Sequence, residues 1–231
     1  MAVSIMRGSY TVELANKLKE HLNGRYNVYC SHGDFAISTS FYNKLNKSNR
    51  LSFVDILVTY KNDYSEEKPI VLIEFEETND SPKTIIGDIY SLLFARYVHL
   101  KNVKEPLQLD RNENIIVSVH IKPNVNIYAK MQRLYDIQSA IIAFNPKDAD
   151  RVNLLGSFKL DDLIAETEAN VFDFIRNFEM SNQDDRSEVD DWNRLTQIIK
   201  ECTIDTGIKD LAQEHDHYLY GTPNKSNLKE V

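Results

Sequence analysis

The chain has 231 residues, of which 42% are hydrophobic and 27% charged, and carries a formal net charge of −8. That length supports a substantial core and suits one domain with a helical appendage. The acidity argues against a protein that grips nucleic acid over its whole surface, and no apolar run is long enough to span a bilayer. The opening MAVSIMRGSYTVEL lacks a signal peptide's apolar core and cleavage site. Two cysteines, Cys30 and Cys202, make no framework and no CxxC. A reducing cytoplasm with two free thiols is therefore expected.

In chain order, Thr11 to Leu22 is predicted as an amphipathic helix, with Leu14, Ala15, Leu18 and Leu22 on one stripe and Gly24 past its end. Strands are expected at Tyr26 to Cys30 and Phe35 to Tyr42, followed by a polar, basic loop, Asn43 to Arg50. Two stronger strands, Leu51 to Tyr60 and Pro69 to Glu77, flank the charged KNDYSEEK. The run Ile70-Val71-Leu72-Ile73 suits a strand covered on both faces. Ser81 then reads as an N-cap with Pro82 at the first helical position. Apolar residues follow at helical spacing as far as Arg96-Tyr97, and Gly87 inside the helix suggests close approach to the sheet. A strand at Asn114 to Ile121, a helix at Val125 to Gln138 and a short strand at Ala140 to Phe144 come next.

Beyond these, helices are expected at about Leu160 to Phe178, Asp190 to Cys202 and Ile208 to His217, with a solvated linker at Gln183 to Glu188 and a mobile tail after Gly221. The fold class is α/β, a mixed central sheet flanked by helices with a helical C-terminal extension. The division is a core over 1–150, a helical region over 151–221 that packs on it or joins two copies, and a flexible tail over 222–231.

Alternation along Pro69 to Glu77 sets Glu74 and Glu76 on the face of Leu72, and Val71, Ile73 and Phe75 on the other. A hairpin centred between Tyr64 and Ser65 places residues whose numbers sum to about 129 opposite each other. Asp55, within Phe53-Val54-Asp55-Ile56-Leu57-Val58, then faces Glu74, with Glu76 about 7 Å further along the same face. Carboxylates converging in an apolar sheet are costly unless a cation compensates them. Mg²⁺ suits such a site, because it takes oxygen ligands and is held by one or two carboxylates plus substrate phosphate. The bland alternative is a hairpin with a solvent-facing side, in a stretch that also carries Glu66, Glu67 and Glu77.

Asp55 in FVDILV, then Glu74-Phe75-Glu76 in IVLIEFEE, then a helix, resembles the PD-(D/E)xK nuclease superfamily over roughly residues 10 to 122. The resemblance implies a restriction-endonuclease-like fold and Mg²⁺-dependent hydrolysis of double-stranded DNA by a homodimer, as in type II restriction endonucleases. It implies Asp55 and Glu74 as metal ligands and Glu76 as ligand or water-activating base. Val54 stands where the family often has Pro, and Glu76 where it usually has Lys, an E-x-E variant known among type II enzymes. Lys83, in the next helix's first turn, is the candidate for a displaced catalytic cation. Glu13 on the first helix is a candidate outer carboxylate, although it lies beside the buried stripe and suits an exposed surface position.

Lys44, Lys47 and Arg50 are candidate DNA-phosphate contacts, with a plain solvated loop as the alternative. His215-Asp216-His217 suits an exposed helix end, because such neighbours do not share a helix face. His120 suits a core or edge histidine, and Trp192 a packing anchor. The alternatives to a nuclease are a non-catalytic nuclease-fold protein and an acidic interaction module in DNA processing or phage defence.

Overall fold

The computed structural model describes residues 8–202 other than 23, 33–35, 79, 102, 124, 125 and 145, with side chains as far as residue 181 apart from 127 and 149. In chain order the elements are α1 (Ser9–His21), β1 (Tyr26–Cys30), β2 (Ile37–Ser40), β3 (Arg50–Phe53), β4 (Ile56–Lys61), β5 (Glu67–Glu76) and α2 (Pro82–Phe94). There follow β6 (Tyr97–Leu100), β7 (Leu107–Gln108), β8 (Asn114–His120), α3 (Ile127–Phe144), a short 3-10 turn (Pro146–Arg151), β9 (Val152–Ser157) and α4 (Leu160–Cys202). Met1–Asn177 form one compact unit and Phe178–Val231 a second. No helix among the described residues is long and apolar enough to cross a membrane.

The fold is mixed α/β. Its main sheet has the order β1-β4-β5-β8-β9, antiparallel from β1 to β5 and parallel from β5 to β9. The continuous apolar run of β5 lies at the centre of this sheet, with Ile70 to Ile73 buried as a strand covered on both faces requires. One face, carrying Leu57, Leu72, Val117 and Val119, packs on Ile85, Ile89 and Leu92 of α2 and on Leu134, Ile137 and Ile141 of α3. On the opposite face, Ser118 Oγ lies 2.7 Å from Thr167 Oγ1 of α4, and α1 joins α4 through His21 and Glu168, 2.9 Å apart. At the edge, Arg151 lies 3.2 Å from the buried Glu113.

A second sheet, not anticipated, has the antiparallel order β3-β2-β6-β7. The expected strand Leu51 to Tyr60 is in fact two strands in two sheets, broken at Val54 and Asp55. The helical spacing read as far as Tyr97 stops at Phe94. Ala95 is extended, and Val98 and Leu100 are buried while Tyr97 and His99 are half-buried, a period of two. The expected strand Ala140 to Phe144 is the last turn of α3, since a short apolar run has no period of its own to separate strand from helix. The sheet's fifth strand is β9, beyond residue 150. Its Gly156 admits α3 closely: a Cβ there would clash with Leu134 Cδ1.

The solvated linker at Gln183 to Glu188 is instead part of α4; the segment is polar but holds no Gly or Pro to break a helix. The helix Ile208 to His217, the His215-Asp216-His217 group, the tail and the side chain of Trp192 lie outside the described residues.

The helix over Gly87 forms as expected, with Ser81 Oγ accepting from the Thr84 amide at 3.3 Å. Gly87 itself faces open space, with nothing within 4 Å of an added Cβ, so close approach to the sheet does not explain it. Gly87→Ala is expected to raise stability by about 0.5–1 kcal/mol, seen as a higher urea midpoint; a lower midpoint would show a packing constraint at this position.

Candidate functional site

The hairpin between β4 and β5 holds the predicted register from Ile56 to Val58, and the expected pairing of Asp55 with Glu74 is not part of that ladder. Ile56 pairs with Ile73, Leu57 with Leu72 and Val58 with Val71, before a shift between Val58 and Thr59. Asp55 lies one step beyond this ladder. Its amide donates to the Ile73 carbonyl at 3.2 Å, and its carboxylate turns back so that Oδ2 accepts from the Phe75 amide at 2.9 Å. Oδ1 accepts from Ser31 Oγ at 3.4 Å and lies 3.2 Å from His32 Nε2. Asp55 is thus fixed by backbone and side chains together. Burial pushes its pKa up, against the pull of the Phe75 amide and His32.

Glu74 and Glu76 sit on the Leu72 face, where their partners on β8 are Val117 and Val119. Glu74 is 8% exposed and has no hydrogen-bond donor among the described residues. Burial first, then the negative charges of Asp55, Asp88 and Glu76, holds its pKa well above the usual range. The neighbouring acids differ. Glu66 accepts from Asn62 Nδ2 at 3.0 Å, and Glu67 accepts from Asn27, Tyr29 and Thr59. Glu77 accepts at 3.0 Å from Gly8 N and Thr11 N and at 3.1 Å from Tyr10 N.

The role of Glu77 follows from α1, whose N-cap is Gly8 and has no side chain to cap the helix. A carboxylate from the end of β5 satisfies the orphan amides and meets the positive end of the helix dipole. Glu77→Ala is expected to destabilise the fold by about 2–3 kcal/mol, measured by urea unfolding. An unaltered midpoint would show that water caps α1 equally well.

Asp88 on α2 is the acid that sequence reasoning missed. Its Oδ2 is buried with no hydrogen-bond partner, and burial together with the charge of Asp55 raises its pKa to about 6. A signal did exist: Asp88 interrupts the apolar stripe of Ile85, Ile89 and Leu92, which packs on the Glu74 face. His32, in the loop after β1, had no comparable signal.

Asp55, Glu74 and Glu76 line a cleft of about 200 Å³ with Gly8, Thr11, His32, Phe75, Glu77 and Thr78. Among the described residues no Lys or Arg lines it. Glu13 is exposed and paired with Lys17 at 3.2 Å, away from the cleft. Lys83 is exposed and lies five residues before Asp88, about 140° away around α2. Lys44, Lys47 and Arg50 are exposed on the segment joining β2 to β3 and at the start of β3, in the second sheet.

Among the described residues no three His, Cys, Asp or Glu side chains are disposed to hold a metal ion together. The carboxylates are nonetheless close enough to repel one another. The arrangement is therefore an acid cluster around the buried Glu74, which, like Asp88 Oδ2, has no hydrogen-bond partner among the described residues. Its donors are all hard oxygens, with one imidazole at the rim, which suits Mg²⁺ or Mn²⁺ better than a thiophilic metal. In comparisons with known proteins, the chain matches no family model, no curated protein and no solved structure.

Proposed function

We propose that the protein is a Mg²⁺-dependent endonuclease of the restriction-endonuclease-like kind, with type II restriction enzymes as the specific model for its activity. The observation that carries the reading is Glu74, a carboxylate buried to 8% exposure with no donor among the described residues, beside Asp55, Asp88 and Glu76. Leaving such a group uncompensated is costly, and a hard divalent cation compensates it. Asp55 and Glu74 would hold the ion, with Glu76 beside them as the water-activating base. When bound, Mg²⁺ supplies an activated water and charge neutralisation for phosphodiester hydrolysis. His32 and the backbone amide of Phe75 orient Asp55. Asp88, with a pKa of about 6, is poised to accept a proton near neutral pH. Duplex DNA, contacted by Lys44, Lys47 and Arg50, and a homodimer matching a two-fold target complete the proposal.

Calorimetric titration of Mg²⁺ and Mn²⁺ into the full chain tests it, with plasmid cleavage measured in parallel. Binding to wild type is expected, lost in Asp55→Asn and Glu74→Gln, and cleavage is expected to fall at least about 100-fold in both. Identical metal heats in wild type and both variants would refute the site.

One observation favours a second reading, a nuclease-fold protein that binds without cleaving. No Lys or Arg among the described residues lines the cleft, and Glu76 stands where the resemblance implies a Lys. Metal binding that depends on Glu74, with no cleavage of any plasmid, is the result expected from that protein.

A further inference from the structure

The second sheet has two faces of opposite character. Antiparallel partners share a face, so the pairings of β2 with β6 place Ile37, Thr39, Val98 and Leu100 together, and Ile37, Val98 and Leu100 belong to the core. The other face carries Arg50 opposite Ser40, Ser40 opposite Tyr97, and Tyr97 opposite Gln108, one row across all four strands. Phe53, Ser38 and His99 form the next row.

This outer face is aromatic and cationic. Phe53 is 51% exposed, with the Arg50 guanidinium 4.4 Å from its ring centre. At the sheet's end, Arg96 lies 5.6 Å from the ring of Phe41, and Tyr42, 61% exposed, packs edge-on against Phe41 at 5.4 Å. Phe41, Arg96, Tyr97, Gln108 and Leu109 line a cleft of about 240 Å³ there. In a chain of net charge −8, residues 35–54 hold Lys44, Lys47 and Arg50 and no acid.

We infer that this face binds single-stranded nucleic acid, with bases stacked on Phe41, Tyr42 and Phe53 and phosphates drawn to Arg50, Arg96 and the lysines of the β2–β3 segment. Exposed rings interleaved with guanidinium groups around the buried Ser38 and Ser40 of this face give base stacking and backbone attraction at once, largely without regard to sequence. Duplex bases are already stacked on each other and offer such rings much less. The choice of nucleic acid as occupant rests on the nuclease reading, but the binding surface is separate from the acid cleft. The inference takes Lys44, Lys47 and Arg50, proposed above as duplex phosphate contacts, as phosphate contacts to a single strand.

Fluorescence anisotropy on the full chain in EDTA tests this with labelled oligothymidylate and oligouridylate of about 20 nucleotides and a hairpin duplex of similar length. At least one single strand is expected to bind more tightly than the duplex, with affinity falling as salt rises. Phe53→Ala and Arg50→Ala, both at exposed positions, are each expected to weaken that binding about tenfold, while Asp55→Asn binds as wild type does. Preference between the two single strands tells DNA from RNA.

Absence of binding to either single strand, equal binding of the duplex, or wild-type affinity in both surface variants would overturn the inference. So would self-association that Phe53→Ala abolishes in a chain with no oligonucleotide affinity, which would mark the face as a contact between copies. Loss of this site leaves the Glu74-dependent metal titration untouched. Failure of that titration with oligonucleotide binding intact removes the nuclease and keeps the platform.

Discussion

In EDTA, Glu74→Gln is expected to melt at a higher temperature than the wild type, and to lose the further rise that Mg²⁺ gives the wild type. Glu74 is buried beside Asp55, Asp88 and Glu76 with no described donor, so its charged form destabilises the metal-free fold. Neutralising it relieves burial and repulsion together, for a gain on the order of 1–3 kcal/mol. For a domain of this size each kcal/mol moves the melting temperature by about 2–4 °C. If the proposed site binds it, cation added at about 100 times its dissociation constant would stabilise the wild type by roughly 2.7 kcal/mol. The variant therefore starts higher and stays flat, while the wild type starts lower and climbs. A variant that melts below the wild type and still responds to Mg²⁺ would mean that Glu74 is an ordinary structural acid.

The acid cluster's contribution to metal-free stability should also fall as pH rises from about 4 through about 6. Asp88 is raised from 3.8 to about 6, and Asp55 and Glu74 move in the same direction. A carboxyl with a raised folded pKa binds its proton more tightly in the native state than in the unfolded chain. Its stabilising contribution is present below the unfolded pKa and disappears as pH passes the folded one. Asp88 is only partly buried, so solvent screening reduces its share to about 1 kcal/mol. His99 acts oppositely, because burial lowers its pKa and acid then disfavours the fold, and so do Glu67 and Asp80, whose hydrogen-bonded carboxyls are held low. The readout is accordingly a difference: urea midpoints between pH 5 and 8 should slope less in Asp88→Asn than in wild type. Parallel curves would place Asp88 outside the cluster.

Much of the hairpin was legible in the residues. Alternation along Ile70 to Glu76 and a turn near Ser65 were enough to place Glu74 and Glu76 on the Leu72 face and to align Ile56 with Ile73. What escaped depended on distant parts of the chain. Asp88 reaches the cluster only because α2 lies on that face of the sheet. Glu77 looked like one more surface acid, yet it caps α1 from 66 residues away. The second sheet was hidden because β3 and β4 form one continuous apolar alternation, with no turn residue marking the change of partner. Local pattern sets what a strand presents to each face; it does not say which strand will lie beside it.

That change of partner occurs at Val54 and Asp55. The Val54 amide bonds the Ile37 carbonyl of the second sheet at 3.0 Å, and the Asp55 amide bonds the Ile73 carbonyl of the first at 3.2 Å. The two sheets are thus stitched at adjacent residues, and one of those residues carries the carboxylate. Asp55 has little freedom to drift independently of either layer. Substitutions well away from the cleft, at Ile37 for instance, should consequently be felt there as a displaced carboxylate before they are felt as unfolding. Tolerance to sequence change in the smaller sheet then becomes a gauge of how tightly the acid must be held.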